Sequence, residues 1–265
     1  MKVEKYSRLW KALKQDDWIE EAELRLSETV TGILKPAFER TLDRLGSRRS
    51  LPSGEVSIRM ALADIEDTFP SIDETSSEAS LDAAVYGRAK IIELAYRLGV
   101  AALIFRTFSR QSVTQIAASS LVGSQAYSNK ILEISTESIN QSVVEGIPIA
   151  SAVDTLRENL FDNVLGSQTR EFVTTTINSA QNEGRYITTG DLGFSYQKWL
   201  TVGDGRVRES HAYLHGQIAP ARGYFSNGLR YPGDRMGPIE EWINCRCYST
   251  PYVIPHGKQP PERSG

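Results

Sequence analysis

Two cysteines and two histidines carry most of the chemistry that this 265-residue chain offers. Cys245 and Cys247 are its only cysteines and stand one residue apart; His211 and His215 lie upstream in RESHAYLHG, four apart. A spacing of four puts two imidazoles on one face of a helix. A spacing of two puts two thiols on one face of a strand. Two nitrogens and two sulfurs from two rigid elements make a tetrahedral zinc set. A disulfide is a poorer use of the pair, because cysteines this close bridge only with strain. Two other readings use the same residues. The thiols can pack as small apolar groups while His211 hydrogen-bonds locally, or a cysteine can act as nucleophile with His211 as its base. No third, orienting group stands out for the latter. Ligand count separates a fastening from a catalyst: four protein ligands close a zinc site, whereas three plus water leave it open.

The same residues sit in two longer blocks. The first, TVGDGRVRESHAYLHGQ, holds Asp204, Arg206, Arg208, His211 and Gly216. The second, YPGDRMGPIEEWINCRC, holds Pro232, Gly233, Asp234, Asn244, Cys245, Arg246 and Cys247. Together they resemble the Mu F-like head-morphogenesis family of tailed phages, the minor capsid proteins, over the stretch from Ser167 to Val253. That family shows an Asp-x-Arg-x-Arg-x-x-His-x-x-x-x-Gly block and then an Asn-Cys-Arg-Cys block, often after a Pro-Gly-Asp turn. The resemblance implies a protein of the virion, in few copies near the portal vertex, engaged in head assembly or DNA packaging. It implies contact with the portal, scaffold or major capsid protein and with packaged DNA. It does not imply an enzyme. The family's helix before the first block carries an Arg-Thr-Glu run and then an Asn. Here the run is Thr174, Thr175 and Thr176, with Asn182 beyond, and the Glu is missing. That departure speaks for a structural role.

Each of these residues also has a plainer use. Asp204 can cap a turn before a helix. Arg206 and Arg208 can be solvated or pair with Glu209, Glu240 or Glu241. Asn244 and Gly216 suit the shaping of backbone. Trp199, Phe225, Tyr231 and Trp242 suit a small core better than base stacking. No phosphate-cradling glycine loop, G-x-S-x-G motif or spaced carboxylate pair appears, so no catalytic residue is expected.

The elements that must position these residues fall into two textures, an α+β chain with a mostly helical first part and a small α+β C-terminal part. Residues 1–165 read as a helical domain that contacts the partners, 166–255 as the head-morphogenesis domain and 256–265 as a disordered tail. Leu26, Val30, Ile33, Leu34, Ala37, Phe38, Leu42 and Leu45 form an amphipathic stripe, which Pro36 is expected to kink or split. A short helix over roughly 56–69 is followed by a polar linker, PSIDETSSEAS, open to proteolysis near Thr75 to Ala79. A second stripe runs through Leu81, Val85, Ala89, Ile92, Tyr96, Val100 and Leu103. A third runs from Val113 to Val144, so rich in Ser, Ala, Gln and Asn that one face is expected on another chain or in solvent. Gly146 and Pro148 stop it. A short helix, 149–160, and a last one, 167–191, precede strand-and-turn pieces: YQKWLTV, HGQIAP, GYFSNGLRYPGD and CYSTPYVIP.

Composition is permissive. Lys plus Arg number 30 against 33 Asp plus Glu. From Gly166 onward the basic residues number 11, nine of them Arg, against 9 acids, which leaves 19 against 24 before it. An Arg-rich C-terminal part fits phosphate or carboxylate contacts as well as ordinary surface use. The start, MKVEKYSRLWKALKQDD, is charged throughout and lacks a signal-peptide core. The apolar run 98–105 is too short to span a bilayer, so no membrane contact is expected.

Overall fold

The computed structural model describes residues 17–99 and 107–257. The expectations for Val100, Leu103 and the tail beyond Gly257 lie outside the described residues. Helices dominate: α1 (Trp18–Gly46), α2 (Glu55–Ala61), α3 (Ala63–Glu66), α4 (Phe69–Arg97), α5 (Arg110–Val144), α6 (Ile149–Glu158) and α7 (Thr169–Asp191). A small region follows with β1 (Tyr196–Leu200), α8 (Glu209–Ala212), β2 (Ile218–Pro220), α9 (Ile239–Trp242) and β3 (Tyr248–Tyr252). The chain is thus α+β, mostly helical first, as its texture predicts. Among the described residues no helix is long and apolar enough to cross a membrane.

Several local expectations need correction. Pro36 neither ends nor divides α1, which is one helix of 29 residues. Pro36 and Gly32, the residue whose carbonyl the proline deprives, are both exposed, so water can take up the freed acceptor. The polar segment Ser71–Ser80 is no linker but the opening of α4. Pro70 suits a first helical turn, where its missing N–H costs nothing. Ile72, Ser76, Ser80, Ala83 and Ala84 then line a buried face at helical spacing. The Ser76 hydroxyl donates to the Ile72 carbonyl at 2.6 Å and Ser80 donates to Ser120 at 2.9 Å. A segment held in a helix, with Ile72, Ser76 and Ser80 buried along one face, is a poor protease target, which speaks against the cleavage site expected near Thr75.

The polar face of α5 is likewise interior. Ser120, Ser124, Ser128, Ser135, Ser138 and Ser142 are all buried in this chain. Serine is small, so it permits close helix packing, and its hydroxyl can return to the helix backbone. Ser135 donates to the Ile131 carbonyl at 2.7 Å and Ser142 to the Ser138 carbonyl at 2.9 Å. The case for a second chain on that face therefore falls. Gly146, at φ 65°, ends the helix as expected. The two helices read at 149–160 and 167–191 are joined by a π-helical stretch, Asn159–Gln168. There the Thr169 N–H and hydroxyl both reach back five residues to the Val164 carbonyl.

Compactness divides the chain otherwise than a cut at residue 165. One unit holds the described residues up to Glu23, Ser77–Ser120 and Thr174–Gly257; the other holds Leu24–Ser76 and Leu121–Val173. In the first unit α4 and α7 meet at glycines. A Cβ on Gly184 would sit 2.1 Å from the Ala84 carbonyl oxygen, and one on Gly87 would sit 1.9 Å from the Gln181 carbonyl oxygen. The antiparallel sheet has the order β2-β1-β3, with Tyr196 opposite both Pro220 and Tyr252. Trp199 of β1, Leu214, Phe225 and Leu229 pack with the two cysteines in one buried cluster. Tyr231 and Trp242 are buried too, so the aromatics build a core as expected.

In the second unit, Phe38 meets Phe161 edge-on with centroids 6.1 Å apart, and Tyr127 stacks on Phe172 at 4.3 Å. Arg44 pairs with Asp64 at 2.5 Å. Asp73 accepts from the buried Ser124 at 2.5 Å.

Candidate metal centre

His211 lies on α8, a single turn of four residues. That turn aims the imidazole inward, and His211 is buried. The helix ends before a second turn forms, so the expected alignment with His215 never arises. His215 is exposed instead, and its Nδ1 meets the Thr201 hydroxyl at 2.8 Å and accepts from the Thr201 N–H at 3.2 Å. Gly216, at φ 83°, turns the chain into β2.

The cysteines precede β3 rather than lie in it. Asn244, the one described non-glycine residue with positive φ (51°), redirects the chain after α9. Asn tolerates that left-handed region better than most residues. Past Asn244 the burial alternates: Cys245 and Cys247 are buried and Arg246 between them is half-buried. Both sulfurs stand 3.6 Å from His211 Nδ1. The three potential ligand atoms lie within 4.8 Å of one another and could hold a metal ion. A tetrahedral zinc with bonds of ~2.3 Å to sulfur and ~2.05 Å to nitrogen would separate N and S by about 3.6 Å. The observed edges match that value.

The surroundings prepare the three donors. His211 Nε2 is 2.9 Å from Glu241 Oε2. A carboxylate only accepts, so Nε2 carries the proton and Nδ1 presents its lone pair to the sulfurs. The neighbouring Cys245 thiol, donating to the Cys247 sulfur, holds the Cys247 thiol below its ordinary value against the upward push of burial. The Cys245 thiol is pushed well up by Cys247 and by burial. One sulfur of the pair therefore gives up its proton more readily than the other, and a bound cation would ionise both.

Outer residues grip the backbone that carries the thiols. Asn178 Nδ2 on α7 donates to the Cys245 carbonyl at 2.6 Å and to the Cys247 carbonyl at 3.3 Å. Asn182, one turn on, donates to the Cys247 carbonyl at 2.9 Å and accepts from the Ser249 N–H at 3.2 Å. Thr175 accepts from the Asn244 N–H at 2.8 Å. Thr176 accepts from the buried Arg235 at 3.1 Å. Arg235 also donates to the Ser119 and Ser120 carbonyls and lies over the Trp242 ring.

The two sequence blocks meet residue by residue. Asp204 forms a two-pronged ion pair with Arg246, at 2.7 and 2.9 Å. Arg246 thereby holds the Asp204 carboxyl below the usual range. Arg208 donates to the Ile243 carbonyl. The exposed Arg206 reaches Asp204 at 3.6 Å. The arginines thus find neither Glu209 nor Glu240 nor Glu241, and Asp204 shapes a turn by accepting from the Arg206 N–H at 3.1 Å. Asp234 closes the Pro-Gly-Asp turn, binding Arg230 through both carboxylate oxygens at 2.7 Å. Gly233, at φ 80°, packs where a Cβ would strike Ser179 at 2.8 Å.

Reading the sequence missed Asn178 and the role of Glu241. Asn178 and Asn182 carry a signal, two amides one turn apart within a helix; Glu241 carries none beside Glu240. No known protein family, curated protein or solved structure compared with the chain matches it.

Proposed function

We propose that this chain is a Mu F-like minor capsid protein of a tailed phage, acting structurally in head assembly or DNA packaging near the portal. It is present in few copies in the virion, at the portal vertex or capsid interior, after synthesis in the host cytoplasm. Its partners are the portal protein and the scaffold or major capsid protein, with packaged DNA in reach. Zinc, held by His211, Cys245 and Cys247, fastens the C-terminal region, because two sulfurs and a nitrogen at tetrahedral separation suit that ion.

One observation carries the reading: the residues of the two quoted blocks are spent on each other. Asp204 binds Arg246, Arg208 binds the backbone before Asn244, and His211 faces both cysteines. Residues used up in joining two segments make a clasp. A small region with a limited core gains stability from such a metal clasp.

The test pairs purified heads with a portal pull-down. Cys245→Ser is expected to lose zinc, fail to enter heads and lose portal capture, with no hydrolytic activity in the parent. Normal incorporation of a zinc-free Cys245→Ser protein would refute the reading.

A metal-dependent hydrolase or nuclease is the second reading, favoured by the ligand count of three. Against it, no carboxylate lines the cleft beside the ligands, and Asp204 is tied to Arg246. Cleavage of DNA with added zinc or magnesium, lost in His211→Ala, would establish it.

A further inference from the structure

Three protein donors fill three corners of a tetrahedron. No fourth His, Cys, Asp or Glu joins the group among the described residues. A cleft beside the site is lined by all three ligand residues, His211, Cys245 and Cys247. Its other charged walls are Arg206, Arg208 and Arg246, with no acidic side chain among them. Asp204 offsets one of those charges from beyond the wall, through Arg246 and Arg206. Zinc with two thiolates is formally neutral, so the mouth of the cleft keeps an excess of about two positive charges.

We propose that the fourth corner of the metal site is open and takes a phosphate oxygen, which Arg206 grips from the cleft wall while Arg208 and Arg246, held by Ile243 and Asp204, add positive charge. This rests on the reading of His211, Cys245 and Cys247 as metal ligands. Two properties select phosphate. Guanidinium groups make paired, charge-assisted hydrogen bonds to phosphate. A phosphate carries one to two negative charges and matches the local excess, where a carboxylate brings only one. Two sources share this chemistry: free phosphate, and the phosphodiester of a nucleic acid. The site binds without cleaving, because no acid or base lines the cleft.

The test uses the full chain loaded with cobalt(II), which reports coordination by its visible bands and thiolate ligation by a near-ultraviolet charge-transfer band. Inorganic phosphate at constant ionic strength is expected to shift the visible bands saturably. Arg206→Ala, at an exposed position, is expected to weaken that response about tenfold and leave the charge-transfer band unchanged. Acetate is expected to shift the bands only at much higher concentration. A short DNA duplex that reproduces the shift identifies the phosphodiester as ligand, and a shift with inorganic phosphate alone identifies free phosphate; both uphold the site. A charge-transfer band with visible bands indifferent to phosphate would overturn the open corner and leave the metal reading standing. An equal response in Arg206→Ala, or an equal one to acetate, would overturn phosphate selection. Absence of the charge-transfer band would sink the metal reading itself.

Discussion

Gly184→Ala puts one methyl group where α4 and α7 touch. Its Cβ would lie 2.1 Å from the Ala84 carbonyl oxygen and 2.7 Å from both the Ala84 carbonyl carbon and Cα, against 3.4 Å or more for ordinary contact. The obstacle is backbone, so no rotamer change relieves it, and the helices must part by about 1.3 Å. Overpacking of a core costs about 1–3 kcal/mol, and a backbone obstacle places this case at the top of that range. Alanine returns about 1 kcal/mol through helix propensity. The net loss of about 2 kcal/mol corresponds to a Tm drop of about 4–8 °C for a chain of this size. Thermal melting by circular dichroism measures it, with Gly32→Ala as the control of opposite sign. Gly32 lies exposed within α1 with nothing within 4 Å of its would-be Cβ, so alanine there should raise Tm by about 2–4 °C. Gly184→Ala melting at or above the parent temperature would refute the contact.

Zinc removal by a chelator should lower Tm by about 8–16 °C if the ion is held at a thousandfold excess over Kd, worth about 4 kcal/mol; calorimetry with metal analysis checks both the drop and one ion per chain. Asn178→Ala leaves the Cys245 carbonyl without its donor and should cost about 1–3 kcal/mol and 10- to 100-fold in metal affinity, read by chelator competition. His215→Ala should leave metal content unchanged, and loss of the ion in that variant would restore His215 as a ligand. Burial raises the Glu183 carboxyl, more than bonds from Gln115 and Ser119 lower it. Its raised folded pKa means that stability is lost as pH rises from the ordinary carboxylate range through the folded value. Glu183→Gln should therefore melt above the parent at pH 7, with the gain vanishing below about pH 4, where the carboxyl is protonated in both states.

How far the sequence could be read depended on what each signal measures. Cys245, Cys247 and His211 were legible because their types are scarce and their chemistry is specific. His215 misled because a spacing of four aligns side chains only if the helix lasts a full turn beyond, and α8 does not. The serines of α5 misled because polarity was read without size: a hydroxyl that bonds its own helix can face a core. Ser71–Ser80 misled for the same reason, and Pro70 at a helix start resembles a turn. Glu241 was invisible because its partner lies 30 residues away. The strand pieces YQKWL and CYSTPY were legible from β-branched and aromatic runs between turns, though the cysteines fell just outside β3.

The unit that carries the metal centre is assembled from distant stretches of chain, and this sets a timetable for its synthesis. Ala84, Ser119 and Ser120 leave the ribosome long before Gly184, Arg235 and Cys247, which they or their neighbours must meet. About 130 residues separate Ser120 from Cys247. At ~5–20 residues per second the earlier helices wait roughly 6–25 s for their partners. The faces around Ala84 and Gly87 wait about 100 residues, roughly 5–20 s, for Gly184 and Gln181, a window in which chaperones or aggregation can act. The thiols come late, ahead of β3 alone among the described elements, so the metal can bind only when most of the unit has been made.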